Sequence, residues 1–392
     1  MRVLIFAPLT AALVLLAPMA VQAQAPTAAP SYQTAAPRAY MKDMQTGAVL
    51  YAKDADSRMP PASMGKMMGV YVAFKLLKAG EASMDQKILV KPETWRAWHS
   101  QGSTMFLSPD EQVSVENLLH GIVTLSGNDA CVVLAEGLGG TEANYVALMN
   151  REAQRLGMKN SHFANTSGWP DPNEYVTARD LAILAEATIR DFPDLYKRFY
   201  AKENFTWGKT MGAGQDITQP NRNPLLGKIA GADGLKTGHT DEAGYGFTGS
   251  AVQNGRRLVM VVAGLESFGQ RVSASVDFMN WGFAAFQNVP VGKKGQVLGK
   301  VAVAGGADPL IDAVAPRDLF VTLPRGFAME RKVSVAAVPG LTAPLKAGQK
   351  VADLVVTMPG QAPRRVPLVT AVAIEEASMF RRAWNWLTGL FG

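Results

Sequence analysis

The sequence predicts an α+β protein: an antiparallel sheet flanked by helices, then a small all-β domain, then a short C-terminal amphipathic helix. Three observations carry this. Apolar residues recur at helical spacing through much of the stretch from about 61 to 190. Two apolar runs, "YGFTGSAVQ" and "RRLVMVVAGL", are joined by Asn254-Gly255, which supplies the positive φ angles of a tight hairpin. Beyond about Val289 the helical period vanishes, and short Val/Leu/Ile runs alternate with Gly, Pro and Asp turns.

The elements follow in order. Residues 1–23 read as a secretory leader: Arg2, the apolar run "VLIFAPLTAALVLLAPMA" and a small-x-small cleavage site at Val21-Gln22-Ala23. The mature chain is expected to be exported. Residues 24–287 form the larger domain. It begins with two strands around the turn Gln45-Thr46-Gly47. A helix follows Pro61, with Met67, Val70, Tyr71, Phe74 and Leu77 as its buried stripe and Gly80 as its stop. Helices are also expected at about 115–125 and 129–137, over "TEANYVALMNREAQRLGM", and over "TARDLAILAEATIRDF" with Thr177 as N-cap. "VSASVDFMNWGFAAFQN" closes the domain as a helix. Residues 288–374 form the all-β domain.

In the tail, residues 375–392, Phe380, Ala383, Trp384, Leu387 and Phe391 share one helical face, opposite Arg381 and Arg382. At this length the tail cannot span a bilayer, which needs about 20 apolar residues. Its Trp, Phe and Arg content suits a helix lying in the membrane interface.

Composition narrows the chemistry. The 392 residues are 48% hydrophobic and 18% charged, enough for a substantial core. The formal charge of +6 suits an anionic wall or membrane surface. No basic stripe with interleaved aromatics points to nucleic acid. Cys131 is the sole cysteine, so no intrachain disulfide forms, and its apolar setting reads as a core thiol. His99, His120, His162 and His239 show no metal-ligand spacing, and no metal or cofactor is expected.

The chemistry is read from three short segments. In "PPASMGKMMG", Ser63 opens a helix whose free N–H groups favour developing negative charge. Lys66, three residues on, shares its face and can reach the Ser63 hydroxyl. A serine hydroxyl needs a base, and a lysine serves only if burial or a second cation lowers its pKa. In "SGN", Ser126 and Asn128 flank a tight inter-helix turn and can point into one cleft. In "KTG", at the expected start of a strand, Lys236 can anchor a substrate carboxylate and hold Lys66 neutral. Gly238 lets a ligand approach the strand closely.

S-x-x-K, SGN and KTG in this order form a specific pattern. From about Ala39 to the end, the chain resembles low-molecular-weight penicillin-binding proteins, the serine-type D-alanyl-D-alanine carboxypeptidases of the peptidase S11 family. "PASMGKMM", "LSGNDACVVLAEGLGG", "NRNPLLG" and "DGLKTGHTDEAGY" carry the likeness. The resemblance implies a β-lactamase/transpeptidase-like catalytic domain and removal of the terminal D-alanine from peptidoglycan pentapeptide stems. It implies β-lactams as inhibitors, and residence at the periplasmic face of the inner membrane with the tail as a peripheral anchor. It gives Ser63 as acylated nucleophile, Lys66 as its base, and Ser126 as proton relay to the leaving amine. Asn128 would hold the substrate amide, Lys236, Thr237 and Arg222 the carboxylate end. The N–H groups of Ser63 and His239 would form the oxyanion hole.

Two positions depart from the family pattern: Gly65, where Thr or Ser is usual, and Gly246, where Asn is frequent. Two other functions fit these residues less well. A class A β-lactamase needs an Ω-loop glutamate, and no E-x-x-L-N segment lies between "SGN" and "KTG". A catalytically silent wall-binding protein has no use for the intact Ser63, Lys66, Ser126 and Lys236.

Overall fold

The computed structural model describes residues 31–210, 212–326, 331–358 and 361–378. The expected leader, residues 1–23, lies outside the described residues. So does the expected terminal helix from residue 379 onward.

The larger domain is built on five antiparallel strands: β1 (Arg38–Asp43), β2 (Val49–Lys53), β3 (Ala232–Thr240), β4 (Gly244–Gln253) and β5 (Arg256–Leu265). Their spatial order is β2-β1-β5-β4-β3, so the two ends of the domain meet at the β1–β5 pair, with Tyr40 opposite Val261. The β4–β5 hairpin turns at Asn254, whose φ is 50°, and Gly255. β5 is apolar almost throughout because both faces of the sheet are covered. Val259, Val261 and Ala263 join the helical core, while Leu258, Met260 and Val262 pack with Phe278 and Met279.

The longer helices are α1 (Lys66–Ala79), α2 (Asn128–Gly139), α3 (Glu142–Leu156), α4 (Ala178–Asp191) and α5 (Phe268–Ala285). α1 departs from the expected single stripe: every residue from Lys66 to Phe74 is buried. The reason is its central position, with α2, α3, α4 and β3 packed around it. Its stop is as expected, with Gly80 left-handed and its N–H on Leu76 O and Leu77 O. Thr177 caps α4 by accepting from Asp180 N at 3.1 Å. The helix expected over 115–125 is α-helical only over Val115–His120 and widens into a π-turn over Gly121–Leu125, which ends at Ser126.

α5 ends at Ala285, and Phe286 already begins β6 (Phe286–Gly292), which pairs with Leu319–Pro324. A second antiparallel sheet runs in the order Val297–Ala302, Leu310–Val314, Gln361–Thr370, Lys350–Met358, Lys332–Ala337. Its core includes Val301, Ile311, Val351, Leu354 and Leu368. The two domains are joined by side chains: Asn288 of β6 donates to Asp43 and Gln45 and accepts from Thr322.

The tail helix does not begin at 375. Ile374 bridges Leu345, Glu376 bridges Gly306, and Ala377 N donates to Gly305 O. Residues 375–378 finish the β domain instead.

Candidate active site

Ser63 sits in a 3-10 turn, Ala62–Gly65, that runs directly into α1. The nucleophile thus precedes the α-helix, and Lys66 is that helix's first residue. Lys66 Nζ donates to Ser63 Oγ at 2.8 Å and also to the carbonyl of Ser167. The lysine is 1% exposed. Burial pulls its pKa down to about 8; Cys131, Glu174 and Asp129 oppose the fall and Arg222 assists it. This corrects the expectation that Lys236 holds Lys66 neutral, because desolvation is the leading cause. Lys236 is itself buried and held well below its ordinary value, first by burial and then by repulsion from Lys66 and Arg222.

Ser126 ends the π-turn in the left-handed conformation, with φ 66°. Asn128 N donates to Ser103 O at 2.7 Å, and its side chain donates to Gln101 O at 2.9 Å. The neighbouring Asp129 receives the N–H groups of Met105 and Leu107. The "SGN" turn and the 101–107 loop are therefore one hydrogen-bonded unit. Arg222 Nη1 donates to Ser103 Oγ at 2.6 Å, which ties the far wall to the same loop.

"KTG" lies in the middle of β3, not at its start: Lys236 is the fifth of nine residues, and its ammonium donates to Thr237 O at 3.1 Å. Gly238 has a reason the sequence did not reveal. A Cβ there would lie 3.0 Å from Pro61 O and 3.1 Å from Met64 N. The strand runs hard against the nucleophile turn, so the missing side chain serves the protein's own packing. Gly246 is explained the same way: its Cβ would meet Met64 Cε at 2.6 Å, so the Met64 side chain fills the space an asparagine would need.

Ser63, Ser126, Arg222, Thr237, Gly238 and His239 line one open cleft of about 530 Å³. Lys66 and Lys236 are buried behind its walls, and Asn128 is engaged with Gln101. His239 packs its ring on Tyr245 at a centroid distance of 3.8 Å. Sequence reasoning missed Ser103, Tyr245, Phe268 and Arg271, which also line the cleft. Arg271 is 5% exposed, and burial lowers its pKa to about 10. Its signal was a cation set among the small and apolar residues of α5. Ser167 was missed because it acts through its backbone carbonyl, which no residue type announces.

Comparison with known proteins agrees with this geometry. Residues 21–267 match the D-alanyl-D-alanine carboxypeptidase model of peptidase S11, and residues 286–376 match the C-terminal domain of penicillin-binding protein 5. The D-alanyl-D-alanine carboxypeptidase DacA of Haemophilus influenzae is 37% identical over 90% of this chain and 89% of its own length. DacC of Escherichia coli is 36% identical over 96% of this chain and 93% of its own. The crystal structure of penicillin-binding protein 5 from Haemophilus influenzae superposes with a TM-score of 0.80 at 35% identity, covering 88% of this chain and 99% of that one. With the Ser63–Lys66 pair, the "SGN" turn and the "KTG" strand around one cleft, and with likeness across both domains, this chain belongs to the peptidase S11 family of serine D-alanyl-D-alanine carboxypeptidases.

Proposed function

We propose that this enzyme removes the terminal D-alanine from peptidoglycan pentapeptide stems through an acyl-enzyme on Ser63. The observation that carries the reading is the 2.8 Å bond between Lys66 Nζ and Ser63 Oγ, made by a buried lysine whose pKa has fallen to about 8. A buried amine with a lowered pKa is a competent base at neutral to mildly alkaline pH.

Neutral Lys66 accepts the Ser63 proton as the oxygen attacks the carbonyl of the penultimate D-alanine. Backbone N–H groups of Ser63 and His239 receive the developing oxyanion. Ser126 passes a proton to the departing amine. Arg222, Lys236 and Thr237 hold the terminal carboxylate, and Asn128 holds the substrate amide. Water then releases the tetrapeptide from Ser63. A β-lactam offers a strained amide and a carboxylate at similar spacing, so it acylates the same hydroxyl.

The same reading places the enzyme at the periplasmic face of the inner membrane. The leader-like residues 1–23 support export. The Trp- and Arg-bearing tail supports peripheral anchoring.

The test is D-alanine release from a pentapeptide ending in D-Ala-D-Ala, with and without penicillin. Release that penicillin abolishes, with a penicilloyl adduct mapped to Ser63, supports the reading. No release and no adduct overturns it. Rapid turnover of nitrocefin would transfer the enzyme to the β-lactamases.

A further inference from the structure

Glu174 is a carboxyl that the reaction scheme above does not use. It is 4% exposed, and it closes a loop that reaches the base. Its Oε2 accepts from Asn165 Nδ2, and the same Asn165 brackets the turn by donating to Trp169 O and accepting from Ser167 N and Trp169 N. That turn presents the Ser167 carbonyl to Lys66 Nζ. The other carboxyl oxygen, Oε1, is buried with no hydrogen-bond partner among the described residues. It lies 3.3 Å from where a Cβ on Gly65 would sit. Gly65 is the last residue of the nucleophile turn, directly before the base, and a position where this chain departs from the usual Thr or Ser. The missing hydroxyl and the unpartnered carboxyl oxygen therefore face each other.

Resting on the Ser63–Lys66 reading, we propose that Glu174 is a positioning residue for acylation. It anchors the loop whose carbonyl holds Lys66, and its own charge is one control on whether Lys66 carries a proton. Gly65, by donating nothing to Oε1, leaves that carboxyl easy to protonate.

The surrounding charges support a coupled pair. Lys66 faces Glu174 from the loop, Cys131 and Asp129 from α2, Arg222 from the segment after residue 220, and Lys236 from β3. Glu174 faces Lys66, Asp171 of its own loop and Glu142 at the start of α3. Burial pushes the Glu174 carboxyl up to about 8, against the pull of Lys66, into the same range as the lysine. Two groups coupled this way lose their protons in two steps that belong to the pair, not to either residue alone. An ionised Glu174 favours the Lys66 ammonium; a neutral one favours the free amine.

Opposite shifts in two variants test this. The readout is the second-order rate of Ser63 acylation by benzylpenicillin across pH, in the purified enzyme. Glu174→Gln removes the anion, so the acid limb should move to lower pH by at least about half a unit. Gly65→Ser offers a hydroxyl to Oε1, stabilises the carboxylate and should move the limb to higher pH. A purely structural role for Glu174 would lower rates equally at all pH values. Limbs that superimpose on the wild type, or that move in the same direction, overturn the inference. If Glu174→Gln does not fold, Gly65→Ser decides alone: an upward shift supports the coupling and an unmoved limb ends it. Wild-type enzyme with no Ser63 adduct at any pH would instead overturn the proposed function.

Discussion

Asn288 Nδ2 lies 3.0 Å from Asp43 Oδ2, and that bond crosses from the first strand of the β domain to the last residue of β1. The same carboxylate oxygen receives Arg256 Nε at 2.7 Å. Asp43 Oδ1 meanwhile accepts from Gln45 N and Thr46 N, fixing the turn that Thr46 extends to Thr322 through their hydroxyls. One fully buried carboxylate thus shapes a turn, balances a buried arginine and joins two domains.

Asp43→Ala should therefore be severe. It leaves the Arg256 guanidinium buried without its counter-ion, a loss of about 3–5 kcal/mol. Asn288→Ala removes one hydrogen bond and should cost about 1 kcal/mol. Denaturant unfolding of both variants checks this. Equal effects would show that the arginine is not the partner that matters.

Acylation should follow the protonation of Lys66. Because burial holds its pKa near 8, the amine is mostly charged at pH 6 and mostly free at pH 9. The rate of β-lactam acylation should rise through pH 8 and then level off. Lys66→Ala should reduce it at least about 100-fold at every pH. A rate that does not change between pH 6 and 9 would remove Lys66 from the role of base.

Gly238→Val should damage the site by packing alone. Its side chain would press on Pro61 O, Met64 N and Ala62 Cβ, displacing the turn that carries Ser63. Overpacking of this kind costs about 1–3 kcal/mol. We expect a lower melting temperature together with a larger proportional loss in kcat than in substrate affinity. A variant with normal kcat would show that the turn tolerates the shift.

Cys131 should be inert in the folded enzyme. It is buried on α2, its thiol donates to Gly127 O at 3.2 Å, and burial pushes its pKa up to about 12. Thiol-reactive dye should label it only after denaturation. Stoichiometric labelling of the native protein would contradict this.

What the sequence made legible was chiefly local. Asn254-Gly255 carries its own turn chemistry, Thr177 its own cap, and Ser63 and Lys66 meet because three helical residues span one turn. What it hid depends on distant neighbours. The burial that lowers the Lys66 pKa comes from α1 lying among α2, α3, α4 and β3, which no period within α1 records. "KTG" reads as a strand start because Gly231 and Gly234 look like turn residues, yet β3 begins at Ala232 and pairs through to Thr240. Glu174 looks like an exposed loop acid in "PDPNEY". Only the fold puts it against Gly65, 109 positions earlier in the chain.

The pairing of β1 with β5 brings Arg38 opposite Ala263, so the founding strand waits for a partner more than two hundred residues downstream. Contacts of such long range make for slow assembly. A chain still emerging, and not yet extended past Leu265, has no closed sheet against which the serine-bearing turn can be braced. The activity therefore arrives late and all at once, when the far end of the larger domain has been threaded back beside its beginning.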